Sequence, residues 1–117
     1  MITVGFREDD AEKIIEFTAK GHAGTAKHGE DLVCACASIL AYTLIDNLMS
    51  LSGRQKEAVV SIEPGDTKAI IPLDAEYSVG KIIAHAIEKG YRLLASQYPQ
   101  AVAIKRIAHD KGRKGSV

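Results

Sequence analysis

The chain has 117 residues, 46% hydrophobic and 26% charged, and its formal net charge is zero. This length and composition are typical of one globular domain with a single core. A zero net charge argues against a general nucleic-acid binder, which would show a clear basic excess. Basic residues crowd the C-terminus, so we predict a domain at 1–107 and a flexible basic tail at 108–117. A weak contact of that tail with RNA or an acidic partner is the alternative.

The N-terminus and the cysteines indicate a compartment. No basic segment followed by an apolar segment is visible at the start, and we expect that no apolar run approaches the roughly 20 residues that span a bilayer. The two cysteines, Cys34 and Cys36, are too close in sequence for a disulfide between them to stabilise a fold. We therefore expect a cytoplasmic protein with free thiols and no membrane partner.

The first part of the chain predicts a hairpin followed by a loop. Residues 2–6 alternate and are β-branched, and residues 13–20 form a second strand-like run after the acidic pair Asp9-Asp10. Residues 21–30 contain no large apolar side chain. We expect a mobile loop there because it holds three glycines: Gly21, Gly24 and Gly29.

The next segment predicts the longest helix, from Asp31 to about Leu51. Asp31 is the predicted N-cap, because its carboxylate can accept hydrogen bonds from exposed amides of the first turn. Ser52-Gly53 is the predicted end. The residues that repeat at helical spacing are Leu32, Val33, Cys36, Ile39, Leu40, Thr43, Leu44, Asn47 and Leu48.

Two more strands, a second helix and a last strand complete the predicted order. Runs at 57–62 and 68–72 flank a turn that contains Pro64 and Gly65. Residues 78–96 repeat as an amphipathic helix, and residues 101–104 form the last strand. The order β-β-α-β-β-α-β predicts an α+β fold, with a mostly antiparallel sheet and both helices packed on it.

Three polar side chains share one face of the first predicted helix. Asp31, Cys34 and Ser38 are spaced three and then four residues apart. With Asp31 as the N-cap, Cys34 is the third helical residue, where unpaired amides and the helix dipole favour a thiolate. Those amides are also the expected donors to an oxyanion. A buried, inert thiol is the alternative interpretation of Cys34.

Cys36 lies about 200° around the helix from Cys34. On a regular helix the two thiols therefore cannot bind one metal ion or form a disulfide. We expect no metal and no cofactor, and we interpret Cys36 as a small core residue.

A histidine near Cys34 would supply the base that nucleophilic catalysis by a thiol requires. His22 is the favoured base because it follows a predicted strand directly, so that the strand can fix it. His28, nearer in sequence but on the predicted loop, is the alternative base. His85 is assigned to a solvated helix face.

The paired motif resembles a known family. Gly21-His22-Ala23, followed by Gly29-Glu30-Asp31-Leu32-Val33-Cys34-Ala35 and Ser38, closely resembles the signature of the ribosomal-processing cysteine protease family, Prp. The hairpin, the long helix and the overall length extend the resemblance over nearly the whole chain. The sequence departs from the pattern at Gly24-Thr25, where members often carry an aromatic residue.

The resemblance implies a cysteine endopeptidase that removes an N-terminal extension from the large-subunit ribosomal protein numbered twenty-seven, cleaving after paired aromatic residues. It places the nucleophile at Cys34 and the histidine at His22, and it implies a homodimer. It also implies a flexible loop over the cleft, which would include Gly21, Gly24, His28 and Gly29. Asp31 either orients His22 or only caps the helix, and Ser38 either supports the site or is an ordinary helix residue.

Two other functions remain open. A non-catalytic ribosome-associated binding module would leave Cys34 buried and inert. A thiol redox sensor would need a resolving cysteine, and the opposite helix face of Cys36 argues against it.

Overall fold

Five strands and two long helices form the described part of the chain. The structure is a computed structural model that describes residues 1–23 and 28–108, with the backbone alone for residues 28–31. The predicted order β-β-α-β-β-α-β is confirmed, with one added turn of 3₁₀-helix at Gln55–Glu57. The elements are β1 (Ile2–Asp9), β2 (Ile14–Lys20), α1 (His28–Leu51), β3 (Val59–Glu63), β4 (Asp66–Pro72), α2 (Tyr77–Gln97) and β5 (Val102–Arg106).

The strands form one sheet in the order β3-β4-β2-β1-β5. Three neighbouring pairs are antiparallel, and only β1 and β5 run parallel. The parallel pair arises because α2 carries the chain from β4 back across the sheet to its other edge. The predicted mostly antiparallel sheet is therefore confirmed.

One face of the sheet carries both helices. Buried side chains alternate with less buried ones in the central parts of β1, β2 and β4, because successive residues of a strand point to opposite faces. The buried members, which face the helices, are Val4, Phe6, Ile15, Phe17, Ala69 and Ile71. The helices thus cover the face that this alternation makes apolar, which is the predicted packing.

An aromatic cluster joins the two helices to the sheet. The rings of Phe6, Phe17 and Tyr91 lie with centroids 5.2 to 6.1 Å apart. The Tyr91 hydroxyl donates a 2.6 Å hydrogen bond to the Ala37 carbonyl oxygen of α1. Burial raises the pKa of Tyr91 and so keeps this hydroxyl a donor. This hydrogen bond therefore fixes α1, the helix that carries Cys34, to α2.

Helix α1 begins earlier than predicted. It starts at His28 and not after an N-cap at Asp31, so the prediction of Asp31 as the N-cap is wrong. Its buried face agrees with the predicted set at Val33, Leu44 and Leu48. It differs at Ala37 and Ala41, which are buried, and at Ile39, which is exposed. Hydrophobic spacing alone does not report which face of a helix its neighbours cover.

The same helix corrects a second expectation. Residues Leu32–Leu51 are long and apolar enough, by length and composition, to cross a membrane, with a mean hydropathy of 1.7. The expectation that no apolar run reaches this length is therefore wrong. Core helices of globular domains meet the same criterion, and α1 contributes Val33, Leu44 and Leu48 to the core.

The predicted tail extends beyond the described residues. The last described segment is residues 107–108, where the Ile107 amide donates to the Phe6 carbonyl oxygen at 2.8 Å. Residues 109–117 lie outside the described residues, so the predicted flexibility of the tail stays a prediction.

Candidate active site

A cleft of about 400 Å³ lies between α1 and one end of the sheet. Its floor includes Ile2 of β1 and Ala19 of β2, and its helical wall runs from Cys34 to Tyr42. The opposite wall is the turn between β3 and β4, residues 62–67. Four segments of the chain therefore meet around one space large enough for a small ligand or a few residues of a peptide.

Cys34 is a half-buried free thiol on the helical wall of this cleft. Its side chain packs against the hydrophobic core while it also borders the cavity. The packing fixes the residue, and the cavity gives a reactant access to it. Cys34 is therefore not the fully buried thiol of the alternative interpretation.

His22 borders the same cleft from the end of β2. It follows Lys20, the last residue of that strand, after Gly21. Its carbonyl oxygen accepts a hydrogen bond from the terminal ammonium of Met1, and its side chain is exposed. The structure thus brings together the two residues that the sequence singled out as nucleophile and base.

The β3–β4 turn holds the other side of the His22 ring. The Gly21 amide donates a 2.9 Å hydrogen bond to the Gly65 carbonyl oxygen, which ties the turn to the end of β2. A Cβ atom placed on Gly65 would lie 2.5 Å from His22 Nε2, so the imidazole rests directly on this glycine. The absence of a side chain at residue 65 therefore makes room for the ring.

The other predicted site residues have mixed outcomes. Ser38 lines the cleft one helical turn beyond Cys34, as its spacing predicted. Gly21 also lines it, with φ +101°, a conformation that glycine adopts without strain. The side chain of Asp31 and the whole of Gly24 lie outside the described residues, so the orienting role of Asp31 stays a prediction. His28 and Gly29 belong to the backbone of α1, so their assignment to the loop is wrong.

The early start of α1 changes the expected electrostatics at Cys34. Cys34 is the seventh residue of the helix and not the third. Only the first four N–H groups of a helix lack partners within it, and the dipole effect falls off beyond the first turn. The premise that first-turn amides lie beside Cys34 is therefore wrong, and their assignment as oxyanion donors loses its geometric basis.

Cys36 lies away from this site. It is half-buried, and in the described part of the chain it belongs neither to the core nor to the residues that line the cleft. The prediction that it is a small core residue is wrong. Its position two residues from Cys34 on the same helix makes it a natural control thiol.

The charged side chains around the cleft are acidic. Among the described residues that line it, the carboxylates are Glu63 and Asp66, and no lysine or arginine is present. Both acids come from the β3–β4 turn region. This region of the cleft therefore favours a cationic segment of a ligand.

Part of the cleft lining was not predicted from the sequence. The segment around Pro64 and Gly65 was predicted only as a turn, and Tyr42 was not singled out. Tyr42 lies eight residues from Cys34 on the same side of the helix, which was a usable signal. The turn joins the site only through the pairing of β4 with β2, which no local motif reports.

Comparison with known proteins shows the family of this chain. The sequence model of the family described as cysteine protease Prp matches residues 1–103. This chain belongs to the cysteine protease Prp family. The ribosomal processing cysteine protease Prp of Bacillus subtilis (strain 168) is 34% identical over 53 residues. That match covers 45% of this chain and 47% of the relative, so it spans about half of the relative's length.

Solved structures share the fold. The processing protease Prp from S. aureus, in complex with a covalently linked product peptide, superposes with a TM-score of 0.70 at 20% identity. That match covers 92% of this chain and all of the other. A protein from Streptococcus mutans superposes with a TM-score of 0.67 at 26% identity, covering 93% and 96% of the two chains. These likenesses confirm the α+β architecture of a Prp family member.

Proposed function

We propose that this protein is a cysteine endopeptidase that uses Cys34 as its nucleophile and His22 as its acid and base. The observation that carries the proposal is that the two residues, on different elements, line the same cleft. A thiol packed against the core, an imidazole held against the β3–β4 turn and a cleft that both residues line meet the requirements of acyl transfer. Membership in the cysteine protease Prp family supports the same reaction.

The first half of the reaction transfers the acyl group to the enzyme. The Cys34 thiolate attacks the scissile carbonyl carbon and forms a C–S bond. The C–N bond then breaks, and the His22 imidazolium gives its proton to the leaving amine. The amine leaves as the C-terminal product, and a thioester remains on Cys34.

The second half releases the enzyme. His22, now neutral, accepts a proton from a water molecule, and the resulting hydroxide equivalent attacks the thioester carbonyl. The C–S bond breaks, the N-terminal product leaves with a new carboxyl group, and the thiolate–imidazolium pair is restored. Ser38, one turn from Cys34, lines the cleft, and we expect it to contact the substrate chain.

The proposed substrate is the N-terminal extension of the large-subunit ribosomal protein numbered twenty-seven, cut after paired aromatic residues. The B. subtilis relative is named a ribosomal processing protease, and S. aureus Prp has been crystallised with a substrate peptide. The acidic side chains at the cleft suit such a partner, because proteins that bind ribosomal RNA are rich in cationic residues.

We further propose that the enzyme works in the cytoplasm as a homodimer. Two free cysteines suit a reducing compartment, and the family resemblance supports the dimer. Light scattering at micromolar concentration tests the dimer directly. A monomer mass would contradict it without bearing on the reaction.

The deciding experiment is mass spectrometry of a synthetic peptide that carries an aromatic-aromatic-small junction. We expect the wild type to cleave at that junction, and Cys34→Ala to lose activity by at least about 10³-fold, the scale seen when a nucleophile is removed. Cys36→Ala, on the same helix, is the matched control and should cleave like the wild type. His22→Ala should behave like Cys34→Ala.

Alkylation gives a second readout on the same proteins. Iodoacetamide should modify Cys34 much faster than Cys36, and His22→Ala should slow the reaction at Cys34. Full peptidase activity in a folded Cys34→Ala protein would overturn the mechanism. If the wild type bound the peptide but neither it nor any variant cleaved it, the result would instead support the non-catalytic binding module.

A further inference from the structure

The helical wall of the cleft continues well past the proposed reaction centre. Cys34, Ser38 and Tyr42 follow at four-residue spacing and all border the cavity. At 1.5 Å per residue, Tyr42 lies about 12 Å along the helix axis from Cys34. An extended peptide rises about 3.3 Å per residue, so this length corresponds to three or four peptide residues.

An isoleucine stands on the opposite wall. Ile62 of β3 pairs with Thr67 of β4, and both residues line the cleft. Directly paired residues of neighbouring strands point to the same face, so Ile62 projects on the side that carries α1. Pro64, two residues further along, borders the same space.

The side chains of Tyr42 and Ile62 are more exposed than is usual for large apolar residues. Tyr42 is 49% exposed and Ile62 is 44% exposed, although both line a cavity. Both side chains line the same cleft as Cys34, so a peptide in reaction at Cys34 would reach them. Burial of an apolar peptide side chain between them would remove apolar surface from water and so favour binding.

We propose that Tyr42 and Ile62, together with Pro64, form an apolar subsite that binds a large apolar side chain of the substrate. That side chain stands three or four residues from the scissile bond. The subsite determines specificity beyond the residues at the bond itself. This inference rests on the proposed peptidase function and adds a recognition element to it.

The test is a positional scan of the substrate with variant enzymes. In a cleaved parent peptide, each position within five residues of the scissile bond is occupied in turn by Leu or by Ala. For the wild type we expect one position, three or four residues away, where Leu→Ala lowers kcat/KM about tenfold, mainly through KM. In Tyr42→Ala and Ile62→Ser that penalty should shrink to less than about twofold, because the pocket that distinguishes the side chains is lost.

Matched controls come from exposed apolar residues outside the cleft. Ile39→Ala, on the same helix and 61% exposed, and Ile82→Ser, on α2 and 70% exposed, should keep the full tenfold penalty. Thermal melting and light scattering of all four variants check the fold and the oligomeric state.

Several outcomes would overturn the inference while the proposed function stands. One is a Leu→Ala penalty in Tyr42→Ala as large as in the wild type. Another is an equal loss of kcat/KM in Tyr42→Ala for every peptide in the series. A third is dissociation of a dimer by both cleft substitutions with selectivity intact, which would assign the surface to a subunit contact. Failure of the wild type to cleave any peptide would instead reject the proposed function, and this inference with it.

Discussion

At the scale of single residues, the position of His22 depends on a glycine far away in the chain. Gly65 lies in the β3–β4 turn with φ +72°, a left-handed conformation that glycine adopts freely. The His22 ring occupies the space in which any other residue would place its Cβ atom. Gly65 therefore serves both the turn and the proposed catalytic base.

We predict that Gly65→Ala damages activity more than stability. The added methyl group must displace the imidazole, and a misplacement of about 1 Å in a catalytic group costs roughly 10²-fold in rate. The left-handed backbone adds a destabilisation of about 1 kcal/mol. Peptidase kinetics and thermal melting measure the two effects separately.

Two further glycine variants separate strain from displacement. Asn tolerates the left-handed conformation, so Gly65→Asn should recover stability but not activity. At Gly53 an added Cβ atom would meet only an Asp74 carboxylate oxygen, at 3.8 Å, so Gly53→Ala should leave kcat/KM unchanged. Wild-type activity in Gly65→Ala would show that this glycine does not position His22.

Single residues also show what the sequence could and could not predict about the site. Cys34 and His22 stand in short local motifs, so their types and spacing were enough to single them out. Ile62 and Gly65 reach the site only because β4 pairs with β2, which brings the β3–β4 turn to the end of β2. Such long-range pairing leaves no mark on neighbouring residues, so local pattern could not predict these contacts.

At the scale of elements, the start of α2 is tied to the turn between β1 and β2. The Tyr77 hydroxyl and the Lys81 ammonium both donate to one carboxylate oxygen of Asp10, at 2.7 and 3.1 Å. The Tyr77 hydrogen bond, and then the hydrogen bond and charge of Lys81, lower the pKa of Asp10. Burial, followed by Asp10, raises the pKa of Tyr77, so its hydroxyl remains a donor.

This contact predicts a pH dependence of stability. A carboxyl whose pKa is lower in the folded chain than in the unfolded chain stabilises the fold above its unfolded pKa, about 3.9. That contribution is lost as the pH falls through the lowered folded value. Between about pH 5 and about pH 2, the melting temperature of the wild type should therefore fall more steeply than that of Asp10→Asn. Parallel melting curves for the two proteins would contradict the assignment.

The elements themselves were largely predictable, and their ends were not. Alternation in the strands and three- to four-residue spacing in the helices follow directly from backbone geometry, so the element order was confirmed. The start of α1 was missed because Gly29, which costs about 1 kcal/mol in a helix relative to Ala, suggested a loop. The exposure of Ile39 was missed because spacing does not reveal which face a neighbouring element covers.

At the scale of the whole molecule, charge is balanced overall but uneven at the cleft. The chain has 15 basic and 15 acidic residues. Attraction of a cationic substrate therefore cannot come from net charge and must come from local carboxylates. Glu63 and Asp66 supply them beside the proposed active site, and Ser38 and Thr67 complete a polar portion of its lining.

We predict that neutralising these two carboxylates weakens the reaction of basic peptides selectively. In the double variant Glu63→Gln/Asp66→Asn, kcat/KM for a peptide with several lysines should fall a few-fold at low salt, because attraction at the cleft is lost. The rate for that peptide should also depend less on ionic strength, since less charge remains to be screened.

An uncharged peptide with the same junction should be cleaved by the double variant as fast as by the wild type. Glu12→Gln, an exposed acid outside the cleft lining, is the matched control and should retain the wild-type salt dependence. An equal loss for charged and uncharged peptides would show that the two carboxylates support the turn and do not attract the substrate.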